Sequence, residues 1–276
     1  MEPSEERVAD APAVPSSADQ SETAPRRERI RLYRTEAVVL RRRDLGEADR
    51  ILTLFTARHG KLRVVAKGVR RPQSKLAGHL EPCARTSLLL AQGRNLDIIT
   101  QAQLVKPYRA LRENEISIAY AGYFADLLDA LTVEAQPNPA AYDALVSAFE
   151  MLDRGLDPFV IARIFELHLL TVTGFRPELY RCAGCGETLE PVVNAFSAEA
   201  GGVLCPVCRQ AQPQALPLSV NALKFLRLID RDPSAAFRLR LSDSLRREIE
   251  DPLRAQIRQV VERDLGSLAV LRLLTH

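Results

Sequence analysis

Two Cys-x-x-Cys pairs, Cys182/Cys185 and Cys205/Cys208, constrain this chain more than any other feature. Each reads as a knuckle, Arg-Cys-Ala-Gly-Cys-Gly and then Leu-Cys-Pro-Val-Cys-Arg, with residues 186–204 between them. Two intervening residues let two thiolates turn back onto one ion, and Gly184 and Gly186 are expected to supply the backbone freedom for that turn. Four sulfurs closing on one centre meet the tetrahedral demand of a single structural Zn²⁺. A closed sulfur shell leaves no water to activate, so the metal is expected to steady the fold rather than catalyse. The rivals are a redox dithiol or disulfides. A redox pair would be expected once, beside a βαβ pattern, and the sequence offers none.

The length of 276 residues allows one large domain or two ordinary ones. No apolar run reaches the roughly 18 residues of a membrane span. The opening MEPSEERVADAP is acidic and lacks an apolar centre, so no secretory signal is expected there. Five cysteines, four of them in the knuckles, suggest a reducing, cytoplasmic setting. Cys83, between Pro82 and Ala84 in a stretch read as extended, is expected to be a buried, inert thiol.

The net charge of +3 conceals a strong asymmetry. Residues 1–30 carry 4 basic and 7 acidic side chains, residues 31–112 carry 18 and 6, and residues 113–276 carry 16 and 22. One region is therefore built to meet a polyanion and the other is not.

Residues 1–30 hold almost no large apolar groups and are expected to be a disordered acidic tail rich in Pro, Ala and Ser. Strands are expected at 35–40, 50–56, 61–67, 86–91 and 96–104, with turns at Gly60 and at Gly93-Arg94-Asn95. Five short strands in so little chain point to a small closed sheet. An OB-type barrel fits the count and size, and an SH3-like barrel would read similarly. After Pro107 the period becomes helical. Ile116, Tyr120, Tyr123, Leu127 and Leu131 share one face. Asn138-Pro139 and Asp157-Pro158 open two further helices that stop at Gly155 and Gly174. On the last of these, His168 reads as a core residue. Helices are expected again over 220–230 and 243–263, with a short apolar one near the C-terminus. The fold class is thus α+β in two domains, a β-barrel over 31–107 and a helical domain over 108–276 with its zinc module at 180–210.

Between Arg41 and Lys75 there are 11 basic and 3 acidic residues. Arg41, Arg42, Lys61, Arg63, Lys67, Arg70, Arg71 and Lys75 are the candidate nucleic-acid contacts. Strand alternation places Lys61, Arg63 and Lys67 on one face. A solvated surface would also be charged, but the sign bias favours phosphate binding. Aromatic residues are sparse here, and Phe55, among Leu54 and Ile51, reads as core. Binding is therefore expected to be electrostatic, sequence-independent and steeply salt-dependent. Asp44, Glu47 and Asp49 cluster as a metal site would need, but in this basic neighbourhood they are expected to pair with local arginines. No P-loop and no clustered catalytic histidines occur, so the chain is not expected to be an enzyme.

The residues also carry a resemblance. Glu36-Ala37-Val38-Val39-Leu40, Leu45-Gly46-Glu47-Ala48-Asp49-Arg50, Thr56 to Gly60 and Ala66-Lys67-Gly68 resemble the N-terminal domain of the RecO family of bacterial recombination mediators. The stretches Phe165–Gly186 and Gly201–Cys208 resemble that family's C-terminal half, and together the match spans about residues 31–210. The resemblance implies an OB fold joined to a helical domain with a zinc module, in a nucleoid-associated DNA repair factor without enzymatic activity. It implies binding of single- and double-stranded DNA, strand annealing, and work with RecR, and functionally with RecF, to help RecA replace single-strand-binding protein. It also implies capture of that protein's acidic C-terminal tail by the helical domain, which here would need a local basic and apolar groove. Cys182, Cys185, Cys205 and Cys208 match the family's four-cysteine positions. A second reading is a zinc-stabilised scaffold for protein partners with incidental nucleic-acid binding.

Overall fold

The computed structural model describes residues 31–263 and 265–275. The tail expected over residues 1–30 lies outside them. Five strands come first: β1 (Leu32–Leu45), β2 (Asp49–Thr56), β3 (Gly60–Ala66), β4 (Arg85–Ala91) and β5 (Asp97–Lys106). They close into a barrel in the order β1-β2-β3-β5-β4, with β4 returning antiparallel to β1. Only the β3–β5 pairing is parallel.

Helices follow: α1 (Arg109–Glu113), α2 (Glu115–Leu131), α3 (Pro139–Asp153) and α4 (Pro158–Val172). The caps are those the sequence announces. Asn138 accepts a hydrogen bond from the Ala141 N–H and Asp157 from that of Phe159, each ahead of a proline whose missing N–H costs the first turn nothing. Next comes a small antiparallel sheet, β6 (Asn194–Ser197), β7 (Gly202–Leu204) and β8 (Leu216–Leu218), interrupted by the single turn α5 (Pro206–Arg209). Three short strands inside a cysteine-rich loop carry too little periodicity to be read from sequence. The chain ends in α6 (Val220–Arg231), α7 (Pro233–Ala236), α8 (Asp243–Val261) and α9 (Gly266–Thr275). Among the described residues no helix is long and apolar enough to cross a membrane.

The unbroken apolar run Ala37-Val38-Val39-Leu40 has a physical reason. Ala37 and Val39 point into the barrel core with Leu52, Leu54, Val64 and Leu88, whereas Val38 and Leu40 point outward into the helical core with Phe55. β1 is buried on both faces, so alternation disappears from its sequence. Two expectations about the helices are corrected. His168 is exposed, because its side of α4 lines an open groove beside α3 rather than the core. Ile116 is exposed in the first turn of α2.

Candidate functional site

The barrel register sorts the basic residues into rows, since directly paired residues share a face. On the outer face of β1–β2–β3, the first row is Val38, Phe55 and Lys61, and it lies under the helices. The next is Arg41, Thr53 and Arg63. The third is Arg43, Ile51, Val65 and Ile98, with Arg43 exposed and the three apolar residues half-buried. Lys67 follows β3, and Arg70, Arg71 and Lys75 lie exposed in the loop beyond.

Row position decides what each cation does. Lys61 does not share an open face with Arg63 and Lys67, which corrects the alternation argument. Its Nζ closes the C-terminal end of α2 instead, donating to the carbonyls of Asp129 at 2.7 Å and Thr132 at 2.8 Å and pairing with the Asp129 carboxylate at 2.9 Å. Four terminal carbonyls of a helix lack intrahelical partners, and an ammonium there satisfies them and the helix dipole together. Gly60 permits this seam. Its φ is +63°, and a Cβ on it would stand 2.0 Å from the Gln136 carbonyl oxygen. The Lys61 carbonyl accepts the Ala135 N–H at 2.9 Å.

Arg42 falls on the opposite side of the pleat from Arg41 and pairs with Glu81 at 2.5 Å. Arg41 donates to Asp126 through Nε at 3.2 Å and Nη2 at 2.8 Å, with Asp129 at 3.4 Å. Arg70 and Arg50 both meet Asp44, and the Arg50 hydrogen bond, with Arg70 beside it, holds the Asp44 carboxyl below the usual carboxylate range. Asp49 accepts the Gly68 N–H at 2.7 Å. Among the described residues, Arg43, Arg63, Lys67, Arg71 and Lys75 have no carboxylate partner. Arg43 is the residue that the sequence reading omits from its site. Strand alternation from Arg41 is the signal that points to it.

The four knuckle cysteines come together, with all their sulfurs within 4.8 Å of one another and Cys185 and Cys205 at 4.0 Å. Zinc–sulfur bonds of about 2.3 Å in a tetrahedron imply sulfur separations of about 3.8 Å, so this donor set fits such an ion with little movement. Main-chain N–H groups point at the sulfurs: Gly184 and Cys205 donate to Cys182 at 3.4 and 3.2 Å, and Cys208 to Cys205 at 3.4 Å. Burial opposes ionisation of Cys182, yet the N–H groups of Cys205, Cys185 and Gly184 outweigh it and bring the thiol down to about 6. Hydrogen bonds shared with the Cys182, Cys205 and Cys185 sulfurs push the Cys208 thiol up to about 12. Gly186 has the positive φ expected of it, at +78°. Gly184 is needed for room: a Cβ would stand 3.0 Å from the Cys208 sulfur. The Cys182 N–H closes the first knuckle on the Glu187 carbonyl at 2.7 Å, and the Ala183 N–H ties it to Val203 of β7 at 2.8 Å. Cys83 takes no part. Its φ is +60°, so the stretch is a turn rather than extended, and burial pushes its thiol up to about 12.

A third feature lies between α2, α4, α8 and α9. A cavity of about 490 Å³ is lined by Ile116, Tyr120, Phe159, Arg163, Arg246 and Arg254 among others. Arg163 is 3% exposed. Its Nη2 donates to Glu166 at 2.6 Å, and the same carboxylate oxygen accepts the Tyr123 hydroxyl at 2.7 Å. Its Nε and Nη1 have no hydrogen-bond partner. Arg246, held by Asp157 at 2.6 Å, stacks with Arg163 on Phe159. Nη1 lies 3.8 Å from a Glu250 carboxylate oxygen, and Asp157, Asp243 and Glu250 line the cavity beside the Tyr120 and Phe159 rings, so an anionic ligand with an apolar part would compete with resident carboxylates for these guanidiniums.

Comparison with known proteins agrees with this layout. The family model described as "Recombination protein O N terminal" matches residues 30–108, and "Recombination protein O C terminal" matches residues 112–269. The chain is 44% identical to a protein named "DNA repair protein RecO" from Roseiflexus sp. (strain RS-1), over 88% of this chain and 86% of that one. It is 38% identical to the protein of the same name from Dehalococcoides mccartyi (strain CBDB1), over 86% of this chain and 93% of the relative. For the one from Symbiobacterium thermophilum the figures are 39%, 86% and 95%.

Proposed function

The chain belongs to the RecO family of DNA repair and recombination proteins, and from that premise we propose a mediator whose barrel carries nucleic acid by its phosphates while its helical half receives protein partners. Residues 31–107 form the DNA-binding domain and 108–276 the partner domain. The barrel is an OB fold. Its strand order and its parallel β3–β5 closure support that reading.

The observation that carries the proposal is the outward pair of rows on β1–β2–β3. Arg63 and Arg43 stand there without carboxylate partners, beside half-buried Ile51, Val65 and Ile98, and Lys67, Arg71 and Lys75 continue the cationic track. Guanidinium and ammonium groups release counterions from phosphates whatever the sequence, and the aliphatic row offers a surface for sugars and base faces where aromatics are lacking. Single and double strands would both bind. Two complementary strands whose charge is neutralised in this way can approach and anneal. Arg41, Arg42, Lys61 and Arg70 serve this surface less directly, because each already answers a carboxylate.

One Zn²⁺, held by Cys182, Cys185, Cys205 and Cys208 in the module at 180–210, steadies the partner domain. The cavity around Arg163 is where an acidic C-terminal tail of single-strand-binding protein would rest, its carboxylate competing with Asp157 for Arg246 and with Glu250 for Arg163, and an apolar side chain lying against Tyr120 and Phe159. With RecR, and RecF in some settings, the protein would then help RecA onto the coated strand without itself catalysing a reaction.

Annealing of complementary oligonucleotides coated with single-strand-binding protein tests the whole reading, with fluorescence anisotropy against a salt series for the barrel face. Joint substitution of Arg43, Arg63 and Lys67 by Gln should weaken all sequences alike. It should flatten the slope of log affinity against log salt by about 0.7 for each single-strand phosphate that is no longer neutralised. An unchanged slope would remove the barrel face from the proposal.

A further inference from the structure

We propose that Asp126 on α2 is a built-in competitor for nucleic-acid phosphate: it holds Arg41 of the barrel in the geometry a phosphate would take, and a polyanion must displace it. The inference rests on the nucleic-acid reading above and adds a regulatory element to it.

Arg41 stands in the outward row with Thr53 and Arg63, and its side chain remains 46% exposed. The guanidinium is therefore within reach of solvent and of any strand lying on Arg63. Its Nε and Nη2 edge is nevertheless occupied by one oxygen of Asp126, at 3.2 and 2.8 Å. Carboxylate and phosphate oxygens compete for the same guanidinium edge with similar geometry.

The second acidic residue explains why displacement is feasible. Asp129 reaches Arg41 at 3.4 Å through one oxygen, while its other oxygen is paired with Lys61 at 2.9 Å. Lys61 also holds the Asp129 and Thr132 carbonyls and is a seam residue with a 14% exposed side chain. When Arg41 leaves, Asp129 keeps its partner and the barrel stays latched to α2. Asp129 gives up only its longer contact with Arg41, whereas Asp126 is left without an ion pair. At 22% side-chain exposure it can be rehydrated, so the cost is that of a partly exposed pair.

The arrangement sets a threshold rather than a block. A single small anion must win Arg41 alone against a carboxylate that is always present. A strand already seated on Arg43, Arg63 and Lys67 brings its next phosphate to Arg41 at a high effective concentration. Asp126 thus favours extended polyanions over isolated ones and keeps the bound strand releasable.

The test uses the full chain and a labelled oligothymidylate in anisotropy titrations. Asp126→Asn should tighten binding about threefold to fivefold at low salt, the scale of an exposed ion pair, and steepen the salt slope by about 0.7. Arg41→Gln should weaken binding, and adding Asp126→Asn to it should change nothing further. Equal tightening in both backgrounds would mean that Asp126 acts only through its general field, and the proposal falls. No tightening in either background has the same consequence. If the unaltered chain binds no oligonucleotide, the nucleic-acid reading itself has failed. Should Asp126→Asn fold poorly, the Arg41 Nε–H signal of the unaltered chain decides: it should shift on adding the oligonucleotide and stay put with inorganic phosphate at equal phosphate concentration. A signal indifferent to both would overturn the competition.

Discussion

The barrel and the four-cysteine module handle charge in opposite ways. The barrel spreads cations over an outer surface, where each is either answered by a carboxylate from a neighbouring element or left to solvent. The module turns four potential anions toward one point, where they can ionise together only around a cation. On the barrel, therefore, the worth of a side chain depends on which row it occupies. In the module, spacing along the chain already settles which atoms meet. Losing one barrel cation that is left to solvent should change binding and spare the fold. Losing one thiolate should change the local fold.

The largest expected effect follows from that contrast. Cys182 is 2% exposed, and its sulfur receives N–H groups from both knuckles. Cys182→Ser should abolish stoichiometric zinc by elemental analysis. It should also erase slow amide exchange over β6 and β7 while leaving that of β1 to β5 intact. In isolated zinc modules metal binding is worth about 10 kcal/mol or more of folding energy. The large helical core around this module should reduce the loss to a fraction of that. Unchanged exchange over the module after metal loss would break the comparison, since the sulfurs would then hold nothing together.

A smaller effect is expected where the barrel meets the segment between α2 and α3. Gly60→Ala places a methyl group inside the contact distance of the Gln136 carbonyl and puts a Cβ on a backbone with φ of +63°. Strain at a left-handed position and overpacking each cost roughly 1–3 kcal/mol, so a loss near 3 kcal/mol in urea unfolding is expected. The control is Gly46→Ala, which has φ of +58° but nothing within 4 Å of the added carbon. It should show only the backbone share, and equal losses at both sites would show that the seam is not close-packed.

The same contrast governs what the sequence discloses. The cysteine spacing, the proline-preceded helix caps and the strand–turn rhythm of 31–106 are local signals, and local signals are legible. The exposure of His168 is not legible, because helical periodicity gives an apolar face without saying that a groove opens beside it. The role of Lys61 is illegible for a sharper reason. Its neighbour across the seam, Asp129, is 68 positions away, and only the three-dimensional row it shares with Val38 and Phe55 turns it toward α2. Arg43 stands within reach of simple alternation. The β-bulge between Val39 and Arg41 makes the phase uncertain until the register is known.

The smallest and most discriminating effect concerns two cations that are two residues apart on β3. Lys61→Met removes the ammonium that closes α2 while keeping the aliphatic stem packed, leaving the carbonyls of Asp129 and Thr132 without it. Charge-assisted bonds of this kind contribute about 1.5–3 kcal/mol, so unfolding should come at lower urea, with oligonucleotide affinity altered little once the folded fraction is accounted for. Arg63→Met has no carboxylate partner to lose, and its stability should stay within about 0.5 kcal/mol of the unaltered chain. Its affinity should fall and its salt slope should flatten by about 0.7, the share of one single-strand phosphate. Charge counting treats the two substitutions as identical, each removing one positive charge from the same strand. If the two variants behave alike in both measurements, net charge is the controlling variable. If stability and affinity separate as described, the row a residue occupies determines which free energy it enters.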